Sequence, residues 1–484
     1  MNETILALRD ATPATSGGKA SILAQLMRAG IDVPDGFVIP VSEYRRHHPE
    51  RHHLDGLHLD GDTADGDTVE VEGEPRPPDA RLVEAIAGHL RRLLGGEDAG
   101  FVAVRSSGTG EDGAASSAAG QHDSFLAVRG TEAVAAAVAR CWASLHSPRA
   151  VAYRSRLPSS ADEPPAMAVL VQRLIDPDVS GVLFTQAHTQ TTRVIEATLG
   201  LGEPLVSGQI TPDSWTLDDI GIITRRTGTL THRLDRREDR LHTTSLPARD
   251  EPCPDHRGDR PHTTRLSGSG QPCLDDATVL DLDRLGARIA TILGYPADIE
   301  WAIEGDRIHT IQARPITAHL TRPRPDEQRP SAPGLLGEAP IEPGVPVLEL
   351  HERGAEHDGR QRPGQRTRGH ETPGSGLHVQ GIPASPGSAT GPTRVLVGPK
   401  DFHRMRPGDI IVCRATDPAW TPLFAHADGI ITETGGLLSH AAIVARELGI
   451  PAILSVPDAT TIYPDGTRIT MDGATAHIHR ESTG

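Results

Sequence analysis

The 484 residues are enough for two or three domains with sizeable cores, and the formal charge of −17 argues against a nucleic-acid or acidic-membrane partner. Aromatic residues are only 3% of the chain, so its cores must be built from Ala, Val, Leu and Ile. No stretch is apolar enough to span a bilayer, the start Met1-Asn-Glu-Thr-Ile-Leu lacks a basic segment before an apolar run, and the four cysteines form no CxxC pair. A reduced, cytoplasmic setting is the expectation.

Ile22, Leu23, Leu26 and Met27 recur at helical spacing, Gly30 ends that helix, and Phe37-Val-Ile39 starts a strand. Gly17-Gly18 ahead of Lys19 lets backbone and ammonium come close to a phosphate, although the spacing is not that of a Walker A loop. Residues 47–74 are acidic and rich in His, Gly and Asp; they fit no EF-hand and read as a solvated insertion. Phe101-Val-Ala-Val-Arg105-Ser-Ser is a short apolar strand ending on a guanidinium that can fork onto phosphate oxygens. Residues 118–128 return as a second strand, Cys141–Leu145 reads as helix, and Met167–Arg173 and Gly181–Thr185 read as central strands.

Glu196-Ala-Thr-Leu-Gly-Leu-Gly202-Glu203 and Val206-Ser-Gly-Gln-Ile-Thr-Pro-Asp213 carry glycines for tight turns, with no individual chemistry assigned. Residues 237–275 hold a tandem repeat of period 20. Its His242, Cys253, His262 and Cys273 suggest zinc, but the His-to-Cys gaps are long and a loosely ordered surface loop is the expectation. A helix over Val279–Leu293 precedes a hairpin in which Glu300 and Gln312 face one side. Their oxygens suit a hard Mg²⁺, and Arg314 adds positive charge. Residues 321–376, rich in Pro, Gly, Arg and Glu, form a linker whose flexible span is about 40 Å. Beyond Leu377 the chain is structured again. Gly429-Ile-Ile-Thr432 reads as a buried strand, and Ser439 N-caps a helix through Leu448 that stops at Gly449. His440 falls in its first turn, where unpaired N–H groups and the positive dipole end favour an anion such as a phosphoryl group.

Gly435-Gly436-Leu-Leu-Ser439-His440-Ala-Ala-Ile-Val-Ala-Arg-Glu-Leu-Gly449-Ile-Pro-Ala resembles the phosphohistidine segment of the phosphoenolpyruvate-utilising enzymes, among them phosphoenolpyruvate synthase, pyruvate phosphate dikinase and rifampicin phosphotransferase. Asp298-Ile-Glu300-Trp-Ala with Gln312-Ala-Arg314-Pro-Ile-Thr, and Thr416-Asp-Pro-Ala-Trp420-Thr-Pro-Leu-Phe424, resemble that family too. The resemblance implies a mixed α+β, α/β chain. An ATP-grasp nucleotide-binding domain would occupy residues 1–320, with insertions near 47–74 and 231–275. After the 321–376 linker, a swivelling β/α phosphohistidine domain would occupy 377–484. It also implies that His440 takes the β-phosphoryl group of ATP and releases AMP. Lys19, Arg105 and Arg314 would contact phosphates under a loop at Ser116–Gly120, Gln172 with its neighbouring backbone would meet adenine, and Glu300 and Gln312 would bind Mg²⁺. Neither the family's pyruvate barrel nor its rifampicin domain is matched here. The expected acceptor is therefore another small molecule, with a phosphocarrier that serves a separate acceptor protein as the alternative.

Overall fold

The computed structural model describes residues 4–49, 76–96, 100–109, 123–147, 150–151, 164–186, 192–218, 220–221, 223–237, 240–246, 272–316, 381–424 and 426–481. In chain order it begins with β1 (Leu6–Ala7), α1 (Pro13–Arg28), β2 (Gly36–Ile39), α2 (Val41–His47), α3 (Ala80–Leu94), β3 (Val102–Gly108), β4 (Ser124–Val128), α4 (Thr131–Ser144) and β5 (Met167–Arg173). Next come β6 (Val179–Phe184), β7 (Arg193–Leu199), β8 (Asp213–Leu217), β9 (Ile223–Arg226), β10 (His232–Arg237), β11 (Arg240–Ser245), α5 (Asp276–Leu293), β12 (Ala297–Glu304) and β13 (Arg307–Pro315). The C-terminal unit holds β14 (Ile382–Ser385), β15 (Ser388–Val395), β16 (Ile410–Cys413), β17 (Gly429–Thr432), α6 (His440–Leu448), β18 (Ala452–Leu454), β19 (Arg468–Asp472) and β20 (His477–Arg480).

Two antiparallel sheets build the first half, in the strand orders β1-β2-β5-β3-β4 and β13-β12-β6-β7-β8-β9. The central strand β5 is buried from Met167 to Gln172, which explains its unbroken apolar run. Helices α3 and α5 are held by side-chain caps: Asp79 accepts from Leu82 N–H and Asp275 from Thr278 N–H, and Gly95 and Gly294 end them in the left-handed conformation. Helix α1 breaks at Gly17, where φ is 69°. A Cβ there would lie 2.2 Å from the Ser107 carbonyl oxygen, so glycine is needed for the contact with β3 as well as for the turn. Ser107 Oγ completes this junction by donating to Ser16 O (2.6 Å) and accepting from Ala20 N–H (3.2 Å).

The C-terminal sheet runs β14-β18-β17-β16-β15-β19-β20, parallel from β15 through β18 and antiparallel at both edges. Ile410–Cys413 and Gly429–Thr432 are buried on both faces, as parallel strands require. Helix α6 is the crossover from β17 to β18, which puts its N-terminus at the carboxyl end of the sheet, where ligand sites of open α/β folds lie.

Two expectations are corrected. The insertion read as 47–74 starts later, because His47 is the buried last residue of α2: its Nδ1 lies 2.8 Å from Glu43 O, its Nε2 accepts Asp79 N–H at 3.1 Å, and its ring packs on Trp142. Residues 50–74 lie outside the described residues. The repeat is not a loose loop throughout: its first copy supplies β11, paired in register with β10, and Cys273 is buried beside α5. Of the suggested zinc set, Cys253 and His262 lie outside the described residues. Among the described residues no group of three or more His, Cys, Asp or Glu side chains could hold a metal.

Candidate active site

Lys19, Arg105, Gln172, Glu300, Gln312, Arg314 and His440 all line one cavity of about 510 Å³, within the usual size range of ligand sites. Lys19 comes from the helical turn after the Gly17 break, Arg105 from β3 and Gln172 from β5. Glu300 sits on β12, Gln312 and Arg314 on β13, and His440 at the head of α6. The cavity therefore lies between the two sheets of the first half and is faced by the C-terminal unit. The Ser116–Gly120 loop lies outside the described residues.

Glu300 and Gln312 are direct partners across the β12–β13 ladder, with a bulge just beyond Glu300. Arg105 sits against both: its Nη1 donates to Gln312 Oε1 (3.3 Å) and to Ile311 O (3.2 Å), and its Nη2 is 3.7 Å from a Glu300 oxygen. The guanidinium thus lies within reach of both oxygens. A carboxylate and an amide oxygen are hard donors that fit Mg²⁺, which fills its other positions with water and phosphate. Arg314 is nearly buried, and its Nε donates to Asp298 Oδ2 at 2.7 Å. Burial pushes the Asp298 carboxyl up, and Arg314 opposes that shift. Gln172 is 2% exposed, and its amide donates to Pro34 O at 3.0 Å, which fixes the side chain at the cavity wall.

His440 is the first residue of α6, 5% exposed, with Nε2 3.2 Å from Thr421 Oγ1 and its ring 6.1 Å from that of Phe424. Thr421 itself donates to Pro418 O at 3.0 Å, so the threonine fixes the imidazole plane. Ser439 stands at the N-cap with extended backbone but makes no side-chain cap. Its Oγ donates back to Gly436 O at 2.9 Å and closes the loop ahead of the helix, a correction to the expected capping role. A helix start pointing at a cavity lined by Lys19, Arg105 and Arg314 suits an anionic ligand.

What the motif reading left without chemistry is the contact that holds this loop. Glu196 on β7 is fully buried; its Oε1 accepts Leu437 N–H at 2.8 Å and its Oε2 accepts Leu438 N–H at 3.1 Å. Burial pushes its carboxyl up, and these two N–H groups pull it back. Nearby, Thr434 Oγ1 donates to Gly208 O (2.7 Å), Gly435 N–H to Ile210 O (3.0 Å), and Thr211 and Ser455 hydroxyls meet at 2.8 Å. Arg446 of α6 donates to Ala384 O and Leu437 O, and burial lowers its guanidinium pKa to about 10. Phe184 and Val194 of the first half share one apolar cluster with Ala441, Ala442 and Val444 of α6. The signal for Glu196 was a carboxylate among the apolar Val194, Ile195 and Ala197, a group rarely buried without a partner.

Fold and cavity together define a mixed α/β protein whose first half and C-terminal unit share one ligand cavity. Residues 14–331 match the pyruvate phosphate dikinase AMP/ATP-binding domain, and residues 405–476 match the mobile domain of PEP-utilising enzymes. The chain belongs to the phosphoenolpyruvate-utilising enzyme family. It is 33% identical over 499 residues to phosphoenolpyruvate synthase of Aeropyrum pernix, covering 96% of this chain and 56% of that one. Against phosphoenolpyruvate synthase of Aquifex aeolicus identity is 30% over 507 residues, covering 96% and 53%. Against that of Pyrococcus furiosus it is 27% over 522 residues, covering 96% and 56%. The chain spans about half the length of these relatives. No helix among the described residues is long and apolar enough to cross a membrane.

Proposed function

We propose that this chain is an ATP-dependent phosphotransferase of the dikinase type, working through phosphorylated His440. The observation that carries it is the convergence of His440 with three cations and the Glu300–Gln312 oxygen pair on one cavity. Residues 1–320 act as an ATP-grasp domain, residues 321–376 as a tether and residues 377–484 as a swivelling phosphohistidine domain. The family match to an AMP/ATP-binding domain and a mobile domain supports that division.

In the docked arrangement Gln172 and the backbone beside it meet the adenine, while Lys19, Arg105 and Arg314 neutralise phosphate oxygens. Glu300 and Gln312 would hold Mg²⁺, which supplies charge neutralisation on the phosphates when bound. An unprotonated imidazole nitrogen of His440 attacks the β-phosphorus. A nitrogen–phosphorus bond forms, the bridge from the α- to the β-phosphorus breaks, and AMP leaves carrying the bridging oxygen. The γ-phosphoryl group then goes to water or an acceptor, leaving phosphohistidine. The helix α6 N-terminus steadies the charge this modification adds.

The swivelling domain then carries the phosphoryl group to a small-molecule acceptor. The relatives' name makes pyruvate, with phosphoenolpyruvate as its phosphorylated partner, the first compound to test. Turnover of such an acceptor by the pure protein separates this reading from a phosphocarrier that needs a second acceptor protein. The test of the first step is label transfer: β-³²P-ATP labels the protein and the label vanishes in His440→Ala. Stable label from γ-³²P-ATP with none from β-³²P-ATP would overturn the assigned phosphorus.

A further inference from the structure

A two-stranded hairpin is marginal in water unless something holds it, and β10–β11 is held at defined points. Leu234 O accepts Leu201 N–H at 2.8 Å, Arg236 reaches Asp176 at 3.2 Å, and the Arg236 guanidinium lies 4.9 Å over the Phe101 ring. Directly across the ladder from Arg236 is Leu241, and Leu241 lines the cavity. The anchoring partners flank apolar cavity wall: Asp176 stands between Ile175 and Pro177, and Leu201 lines the cavity itself. Leu241 therefore joins an apolar set with Leu174, Ile175, Pro177 and Leu201, whereas Arg105, Gln312 and Arg314 gather on β3 and β13. The groups that suit phosphates thus lie on β3 and β13, and the apolar side chains that suit a flat ring lie on the hairpin, on the segment after β5 and at Leu201, with Arg173 and Glu203 lining the cavity beside them.

We propose that the β10–β11 hairpin clamps the heterocyclic base of the bound nucleotide, with Leu241 lying on the base and setting base affinity. This rests on the nucleotide-binding reading above and names the residue that distinguishes a nucleotide from its polyphosphate tail. The clamp belongs to the first copy of the tandem repeat, because the second copy has Pro261 at the position of Leu241.

The test is calorimetric titration of the full chain with ATP and, separately, with inorganic tripolyphosphate, both with Mg²⁺ present. Leu241→Ala is expected to raise Kd for ATP about tenfold, as loss of roughly half a buried leucine's apolar contact implies, and to leave tripolyphosphate unchanged. Leu241→Met, which keeps the apolar volume, retains ATP affinity. Arg236→Ala, which frees the hairpin from Asp176 and Phe101, reproduces the ATP-only loss. Equal weakening of ATP and tripolyphosphate in Leu241→Ala, or no change in either, would overturn the clamp while wild-type ATP binding stands. Wild-type protein that binds neither would overturn the nucleotide reading and the clamp together.

Discussion

Gly436→Ala tests how the histidine loop is held against the first half. A Cβ at residue 436 would lie 2.3 Å from Glu196 Oε2 and 2.5 Å from Oε1, and the glycine backbone is outside the left-handed region, so alanine is opposed by the carboxylate alone. Relief requires Glu196 to withdraw from Leu437 N–H and Leu438 N–H, the bonds of 2.8 and 3.1 Å. Hydrogen bonds to a charged group contribute about 1.5–3 kcal/mol each, and rehydration of the freed carboxylate returns part of that, leaving a docking loss of about 2–4 kcal/mol. At 1.4 kcal/mol per decade the docking equilibrium constant falls roughly 30- to 1,000-fold, and for a swivelling domain that is undocked most of the time the docked population falls by the same factor. Single-turnover labelling of His440 by β-³²P-ATP should slow by that factor, with ATP affinity by calorimetry unchanged. The double variant with Glu196→Ala should be no slower than Glu196→Ala alone, since the clash has gone. Labelling of Gly436→Ala within about twofold of wild type would refute the reasoning, because the estimated docking loss puts the smallest slowing near 30-fold.

Two further outcomes follow from other parts of the molecule. Glu300→Ala should abolish Mg²⁺-dependent labelling, since Gln312 alone leaves the metal one neutral protein oxygen; full labelling would remove Glu300 from the site. Asp79→Ala removes the cap of α3 and the 2.7 Å contact to Arg46, and should cost about 1 kcal/mol in urea unfolding at pH 7. Arg46 first, then Leu82 N–H, holds the Asp79 carboxyl below its usual range. A depressed acid stabilises the fold above its unfolded value and loses that contribution as pH falls through the folded one. The gap between wild type and Asp79→Ala should therefore begin to close below pH 3.8, and a gap that widens there contradicts the sign.

The local elements were legible because their signals are local. The body of α5 was placed from Val279 to Leu293 and Gly449 marked the end of α6, whereas Glu300 and Gln312 stand directly opposite each other because the bulge between Glu300 and Trp301 shifts the β12–β13 register by one. The failures came from contacts between distant segments. His47 looked like the edge of a polar insertion, but Trp142 and the Asp79 N–H, far along the chain, bury it. Ser439 had the right residue type and backbone for a cap, yet its hydroxyl turns back to donate to Gly436 O and accepts no N–H of α6.

By itself the sequence determined which segments become helix or strand and which side chains can handle phosphate, since periodicity, turn chemistry and charge act over a few residues. Only the tertiary structure decided that Arg105 meets Gln312 across 207 positions, that Glu196 holds the loop before His440 across 241, and that Leu241 lines the cavity. Those meetings depend on how the two sheets of the first half and the C-terminal unit bury their apolar faces together, a property of the whole packed chain that no short stretch encodes.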